Sequence, residues 1–282
     1  MEELLERNSC SNCNFSPLNS AFCPNCGQKK LTKKDLSLGA LTQELIQGFF
    51  NFENAFFRTL KSFFFSPNNY VSSYNLGKRK KYISPIKWFL IANAIYFLFP
   101  FINTFTTTLQ IQLSGLIYSN LINDLVETLI SSSTVDLETF HLKYNDLTKT
   151  LSKIFLLALP LMFSCVTYLT NFNEKKHKPL LFHINYSLIL YSFLLTTILC
   201  LFPLIHSLIA NGSQAYINDT TITSVSLVSL NIYGFFLYRG FFKSGLVKNI
   251  LRTVLLNISF YLLIFAYRFL LLVVTLVWMH FN

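Results

Sequence analysis

Long stretches without charge constrain this 282-residue chain more than any other feature. Residues 88–123, 154–173, 179–218 and 220–238 contain no Asp, Glu, Lys or Arg, and 253–282 is broken only by Arg268. About 20 apolar residues in a helix cross a bilayer core, and helices suit it because their backbone amides are satisfied within the segment. The pattern predicts an all-α polytopic membrane protein with five transmembrane helices, at 86–105, 151–170, within 180–209, 221–238 and 254–278. Composition agrees, since 13% of residues are charged where soluble domains carry about a quarter.

The loops fix an orientation. Lys78, Arg79, Lys80, Lys81 and Lys87 precede or open the first span; Lys175, Lys176 and Lys178 follow the second; Arg239, Lys243, Lys248 and Arg252 follow the fourth. Segment 106–150 carries five acidic residues (Asp124, Glu127, Asp136, Glu138, Asp146) against Lys143 and Lys149, and loop 210–220 has Asp219 and no lysine or arginine. Threading five spans puts every basic cluster on one side, as the positive-inside rule requires. The N-terminus is then cytoplasmic and the C-terminus outside. A sixth span over 109–122 would reverse every later loop, and that stretch holds Gln110, Gln112, Ser114, Ser119 and Asn120.

Three regions follow. Residues 1–34 form a cytoplasmic metal module and basic linker, with no apolar run to serve as a cleaved signal. Residues 35–85 are interfacial amphipathic helices, rich in phenylalanine but too polar to cross, with Ser66-Pro67-Asn68-Asn69 as a turn. Residues 86–282 are the membrane domain, with an outer helical hairpin at 106–150 whose second helix runs into span two.

The sharpest local signal is Cys10-x-x-Cys13 followed by Cys23-Pro24-Asn25-Cys26-Gly27. Each pair supplies two thiolates from one tight turn, and four complete the tetrahedral shell of a structural Zn²⁺. A module this short has no hydrophobic core, so the metal supplies its folding energy, roughly 10–16 kcal/mol in small zinc modules. A reduced compartment argues against disulfides, and no surrounding βαβ pattern suggests a redox centre. A closed thiolate shell leaves no position for catalysis. Such a ribbon binds protein, binds nucleic acid or serves as a folded cap. Nucleic acid has the least support, because Lys29, Lys30, Lys33 and Lys34 lack interleaved aromatics.

These residues resemble a family of bacterial membrane proteins, domain of unknown function 3667. The resemblance rests on Cys10-x-x-Cys13, Phe22-Cys23-Pro24-Asn25-Cys26-Gly27-Gln28-Lys29, Thr59-Leu60, Pro67, Tyr74, Gly77-Lys78-Arg79, Tyr82 and Pro85. It implies an inner-membrane protein with an N-terminal zinc ribbon and no assigned activity. Ser16-Pro17-Leu18-Asn19 widens the gap between the cysteine pairs, lengthening a loop without removing a ligand. The five-span layout is also loosely similar to the Yip family of trafficking proteins.

Two further features carry candidate function. Lys78, Arg79, Lys80, Lys81 and Lys87 anchor topology or grip anionic headgroups, at about 1 kcal/mol per basic residue. Arg268 lies mid-span with no Asp or Glu in any span, at a cost of roughly 2.5–3.5 kcal/mol. Its guanidinium therefore meets backbone carbonyls, polar side chains such as Asn93, Asn185 or Asn231, water, or an anionic ligand. His183, Asn185 and His206 read as interfacial polar residues, and Pro100, Pro160 and Pro203 as kinks. No phosphate loop, nucleophile elbow, HExxH motif or intramembrane acid pair is present. The sequence thus points to a non-enzymatic scaffold or adaptor that docks a protein partner through the ribbon beside membrane lipids. A carrier or channel for a lipid or small anion, built on Arg268, is the alternative.

Overall fold

The computed structural model describes residues 8–30, 32, 35, 53–99, 104–116, 118–132, 136–171, 178–209, 219–239 and 245–281. Expectations for 36–52, Lys33, Lys34, Pro100, Lys175, Lys176, Lys243 and most of loop 210–220 lie outside the described residues. The described chain forms helices α1 (Glu53–Phe65), α2 (Pro67–Asn75), α3 (Pro85–Leu98), α4 (Leu109–Ser114), α5 (Ser119–Ser132) and α6 (Leu137–Thr170). Helix α7 (Leu180–Phe193) continues through a π-helical segment (Leu194–Leu201) into α8 (Phe202–Ile209), followed by α9 (Asp219–Arg239) and α10 (Leu246–Phe281). The described residues contain no strand, only an isolated antiparallel bridge between Phe22 and Lys29.

Among the described residues, four helical stretches are long and apolar enough to cross a membrane: Leu137–Thr170, Leu180–Leu208, Thr221–Arg239 and Leu246–Met279. These contain expected spans two to five. The expected first span, 86–105, differs: its helix is the 14-residue α3, about 21 Å at 1.5 Å per residue, short of a core about 30 Å thick. Pro100 explains the stop. A residue before proline is pushed out of the α region, and Phe99 has φ −125° and ψ 69°. Pro160, by contrast, sits within the unbroken α6. Ahead of Pro203 the ladder widens, the Phe202 amide donating to the Thr197 carbonyl. Proline lacks an N–H and its ring crowds the carbonyl four residues back, which the wider π turns accommodate.

The turn expected at Ser66-Pro67-Asn68-Asn69 shrinks to one residue. Pro67 begins α2, using the first helical position, where its missing N–H costs nothing.

Contacts divide the chain into two compact units, one of Met1–Phe101 with Phe163–Ser259, the other of Ile102–Met162 with Phe260–Asn282. In the first, α7 is the axis. Residues 181–195 are buried on every face, as befits a helix apolar all round, and α3, α2 and α9 pack along it. Helix α1 turns Phe56, Thr59, Leu60 and Phe63 inward at helical spacing and leaves Phe57 and Phe65 exposed. Fully buried Phe63 meets Trp88 at 5.2 Å and Tyr233 at 5.8 Å, and Tyr233 stacks on Phe193 at 3.9 Å. Asn185 and His183 belong to this interior, each 2% exposed, which corrects their reading as interfacial residues. The Asn185 Nδ2 donates to Asn75 Oδ1 at 2.6 Å, and His183 meets the Tyr168 ring edge-on. The Asn185 amide is thus satisfied by a neighbouring helix, so its burial is tolerated.

The second unit packs Leu109, Ile122, Val126, Phe140, Tyr144, Leu272 and Leu276 into one cluster. Helix α6 runs without a break from Leu137 through the candidate span to Thr170.

Candidate functional site

The four ribbon cysteines come together. Their sulfur atoms lie within 4.8 Å of one another, with Cys10 to Cys26 and Cys13 to Cys23 each 3.6 Å apart. A tetrahedron with metal–sulfur bonds of about 2.3 Å has edges of about 3.8 Å, so the donor set fits one metal ion. Two local repeats build it. The Asn14 amide donates to the Cys10 carbonyl, and the Gly27 amide to that of Cys23; the Cys10 amide donates to Phe15 and the Cys23 amide to Gln28. Asn14 and Gly27 occupy equivalent positions with φ +60° and +66°. Glycine and asparagine are the residues that tolerate this region. The sequence suggested Gly27; Asn14 was legible only by aligning the two cysteine pairs on each other.

The widened gap also has a use. Leu18 is buried against Cys10 and Cys23, and its amide donates to the Asn8 carbonyl. The inserted loop therefore supplies the ribbon's apolar plug. Burial pushes the Cys10 thiol up to about 11. At Cys26 burial acts the same way but is outweighed by hydrogen bonds from the Asn12 side chain, the Gln28 backbone, Cys13 and Cys10, which bring it down to about 6. Thiol and thiolate thus sit side by side, and a divalent cation binding the thiolate form would drive off the remaining protons.

The basic cluster reaches back to this ribbon. The Lys80 Nζ donates to the Cys26 carbonyl, its backbone amide donates to Gln28 Oε1 at 2.8 Å, and Arg79 Nη2 donates to the Asp35 carbonyl at 2.8 Å. Asp35 completes the clasp: its carboxylate accepts from Lys29 Nζ at 2.9 Å, Thr32 N at 2.9 Å and Thr32 Oγ1 at 2.6 Å. Burial raises that carboxyl, but these hydrogen bonds and the Lys29 charge prevail and hold it below its ordinary value of 3.8. Lys81 lies over the Tyr82 ring. Lys87 sits in the first turn of α3, its amide held by Ser84 Oγ. Arg79 and Lys80 therefore have protein acceptors, a use that charge counting along the chain could not reveal. Asp35 carried no signal of its own, and Gln28 entered only as part of the motif behind the resemblance.

The loop presenting Arg79 and Lys80 is held at both ends. After α2, the Gly77 amide donates to Tyr74 and the Lys78 amide to Ser73, with Gly77 at φ +95°; this is the paired capping pattern that favours glycine past a helix end. Before α3, Thr59 Oγ1 accepts from the Ile83 amide at 2.9 Å and the Tyr70 hydroxyl donates to the Ile83 carbonyl at 2.6 Å. Arg79 also lies over the Tyr74 ring, and Tyr82 packs on Tyr70. Thr59, Tyr74, Gly77, Arg79, Tyr82 and Pro85 thus shape one turn.

Arg268 is half-buried in the second unit. Its Nη2 donates to the Thr104 carbonyl at 3.0 Å, and its own carbonyl accepts from Gln112 Nε2 at 3.3 Å. A backbone carbonyl is among the partners the sequence left open. Asn93, Asn185 and Asn231 belong to the first unit and bond elsewhere. Fully buried Gln112, not singled out by the sequence, also accepts from the Tyr118 hydroxyl at 2.6 Å and the Ser119 hydroxyl at 2.8 Å.

No curated protein and no solved structure matches the chain. Residues 53–97, which span α1, α2, the clasp loop and most of α3, match a family model described as Protein of unknown function (DUF3667). The turn-forming residues of that stretch are those the resemblance rests on, and over it this chain, a multi-pass membrane protein by its apolar helices, is similar to that family.

Proposed function

We propose that this chain is a non-enzymatic scaffold or adaptor of the bacterial inner membrane whose zinc ribbon is a protein-docking module. The observation that carries the reading is an exposed aromatic on a stapled support. Phe22, beside Cys23 and in the bridge to Lys29, is 58% exposed, while the ribbon beneath it is clasped by Arg79 and Lys80. Aromatic residues on rigid supports are favoured anchors of protein interfaces, because little conformational entropy is lost on docking. Four thiolates select a soft cation, and Zn²⁺ suits a closed tetrahedral sulfur shell.

Five crossings, with the N-terminus cytoplasmic and the C-terminus outside, belong to this reading. If the stretch from α3 to 105 failed to cross, Lys78–Lys81 and Lys248–Arg252 would fall on opposite sides, against the charge rule. Arg268 already has the Thr104 carbonyl as acceptor, and no observation advances the anion-carrier reading.

The test is crosslinking from native membranes with wild type, Phe22→Ala and Cys23→Ser/Cys26→Ser. Phe22→Ala leaves all four ligands in place and should keep one zinc per chain while losing the partner that wild type captures; the double cysteine variant should lose both. Equal capture by wild type and Phe22→Ala at equal zinc content overturns the docking role.

A further inference from the structure

Metal ligands are oriented by their outer neighbours, and at the second cysteine pair those neighbours come from two distant parts of the chain. Gln28 is one of them. It is 5% exposed. Its carbonyl accepts the Cys23 amide at 2.8 Å, and its own amide donates to the Cys26 sulfur. Its side chain reaches outward: Oε1 accepts the Lys80 amide at 2.8 Å and Nε2 donates to the Lys29 carbonyl at 3.1 Å. One buried residue thus touches both ligands of the pair and the loop between α2 and α3.

Lys80 is the other neighbour. Its Nζ donates to the Cys26 carbonyl and fills the space where a side chain at position 27 would begin, since a Cβ there would lie 2.7 Å from Nζ. Glycine at 27 therefore answers two demands, the backbone at φ +66° and the ammonium packed against it. Four thiolates around a divalent cation leave the centre anionic, so an ammonium on a ligand's own backbone is placed to offset the excess charge. The loop that carries Lys80 is fixed at its far ends by other elements, through the capped Gly77 and Lys78 and through Ile83. Between these anchors the hydrogen bonds of Lys80 run to Gln28 and Cys26, and that of Arg79 to Asp35.

We infer that Lys80 and Gln28 couple metal binding at the four cysteines to docking of the α2–α3 loop: the loop holds the second cysteine pair in ligating geometry, and bound metal holds the loop against the ribbon. Whatever docking adds to metal affinity, metal adds to docking, because a coupling free energy is reciprocal. Metal occupancy is thereby felt at the adjoining ends of α2 and α3, which pack along α7. The inference rests on the cysteines binding a metal and is independent of any docked partner.

The test uses the full chain in detergent, loaded with zinc, with a colorimetric chelator competing for the metal. Lys80→Met keeps the aliphatic stem and loses the ammonium; it should weaken zinc binding about tenfold, the lower end of what outer neighbours of a metal contribute. Lys80→Arg keeps the cation and should recover most of that loss. Lys81→Met removes the same charge from the next residue, whose ammonium lies over the Tyr82 ring, and should leave zinc binding unchanged. Gly27→Asn tolerates the backbone, as Asn14 does at φ +60°, but drives the ammonium off. Its loss should match that of Lys80→Met, and the double variant should lose no more than either. Hydrogen exchange reads the reverse direction. Stripping zinc from wild type should speed exchange at the Lys80 amide at least about tenfold while the Ile83 amide, held by Thr59, stays slow, and restoring zinc should restore protection. A slow Ile83 amide and monodisperse elution report folding of each variant; should Lys80→Met not fold, the wild-type exchange decides. Equal zinc binding by Lys80→Met and Lys81→Met, or a Lys80 amide equally protected with and without zinc, overturns the inference. A wild-type chain that binds no zinc overturns the metal reading along with it.

Discussion

Thr59→Val removes one hydroxyl from the support of the clasp loop. Thr59 is fully buried; its Oγ1 accepts the Ile83 amide at 2.9 Å and donates to the Ala55 carbonyl at 2.7 Å. Valine keeps the branched shape, so packing changes little. The Ala55 carbonyl retains its helical bond from the Thr59 amide, whereas the Ile83 amide loses the acceptor shown here. A buried donor left without an acceptor costs about 1–3 kcal/mol, roughly 5- to 150-fold in the folded-to-unfolded ratio. For a chain of this size that is a Tm lower by about 2–12 °C. Thermal unfolding in detergent measures the loss, and hydrogen exchange at the Ile83 amide localises it: slow in wild type and Thr59→Ser, fast in Thr59→Val. A Tm within 1 °C of wild type together with a protected Ile83 amide would refute the reasoning. It would mean that the amide finds another acceptor and that Thr59 does not hold the turn.

Two further outcomes follow from the geometry. Alkaline phosphatase fused after Asp136, downstream of the first apolar stretch and ahead of the second, should be active, and fused after Arg239 inactive; the reverse at Asp136 would show that the stretch from α3 to 105 does not cross and would leave four spans. Asp35→Asn should loosen the ribbon from the clasp loop at neutral pH, read as faster exchange at the Thr32 amide that Asp35 holds. Because the folded carboxyl titrates below its ordinary 3.8, the wild-type advantage is present above that value and fades as pH falls through the lower folded one. A difference that persists unchanged under stronger acid would assign the effect to packing instead of charge.

Some of this architecture was legible residue by residue. Uncharged length alone marks the membrane helices, since a bilayer demands about 20 apolar residues and allows few exceptions. Paired cysteines mark the metal site because each tight turn fixes two sulfurs and leaves only the meeting of two turns to the fold. Where local chemistry conflicts with hydropathy, the sequence misleads: the run through 105 is apolar enough to cross, yet α3 ends at Leu98 because Phe99 precedes a proline.

What only the tertiary structure decided is which polar groups meet. Lys80 reads as one of a row of cations, and its carbonyl acceptor at Cys26 lies 54 residues away. Arg268 reads as an unpaired charge, and its acceptor is a backbone oxygen 164 residues away. A backbone carbonyl is present at every position, so it leaves no signature in the sequence. Hydrophobic length is a property of one segment and is written in that segment. A hydrogen bond between distant segments is a property of their packing, and it comes into being only when the chain has folded.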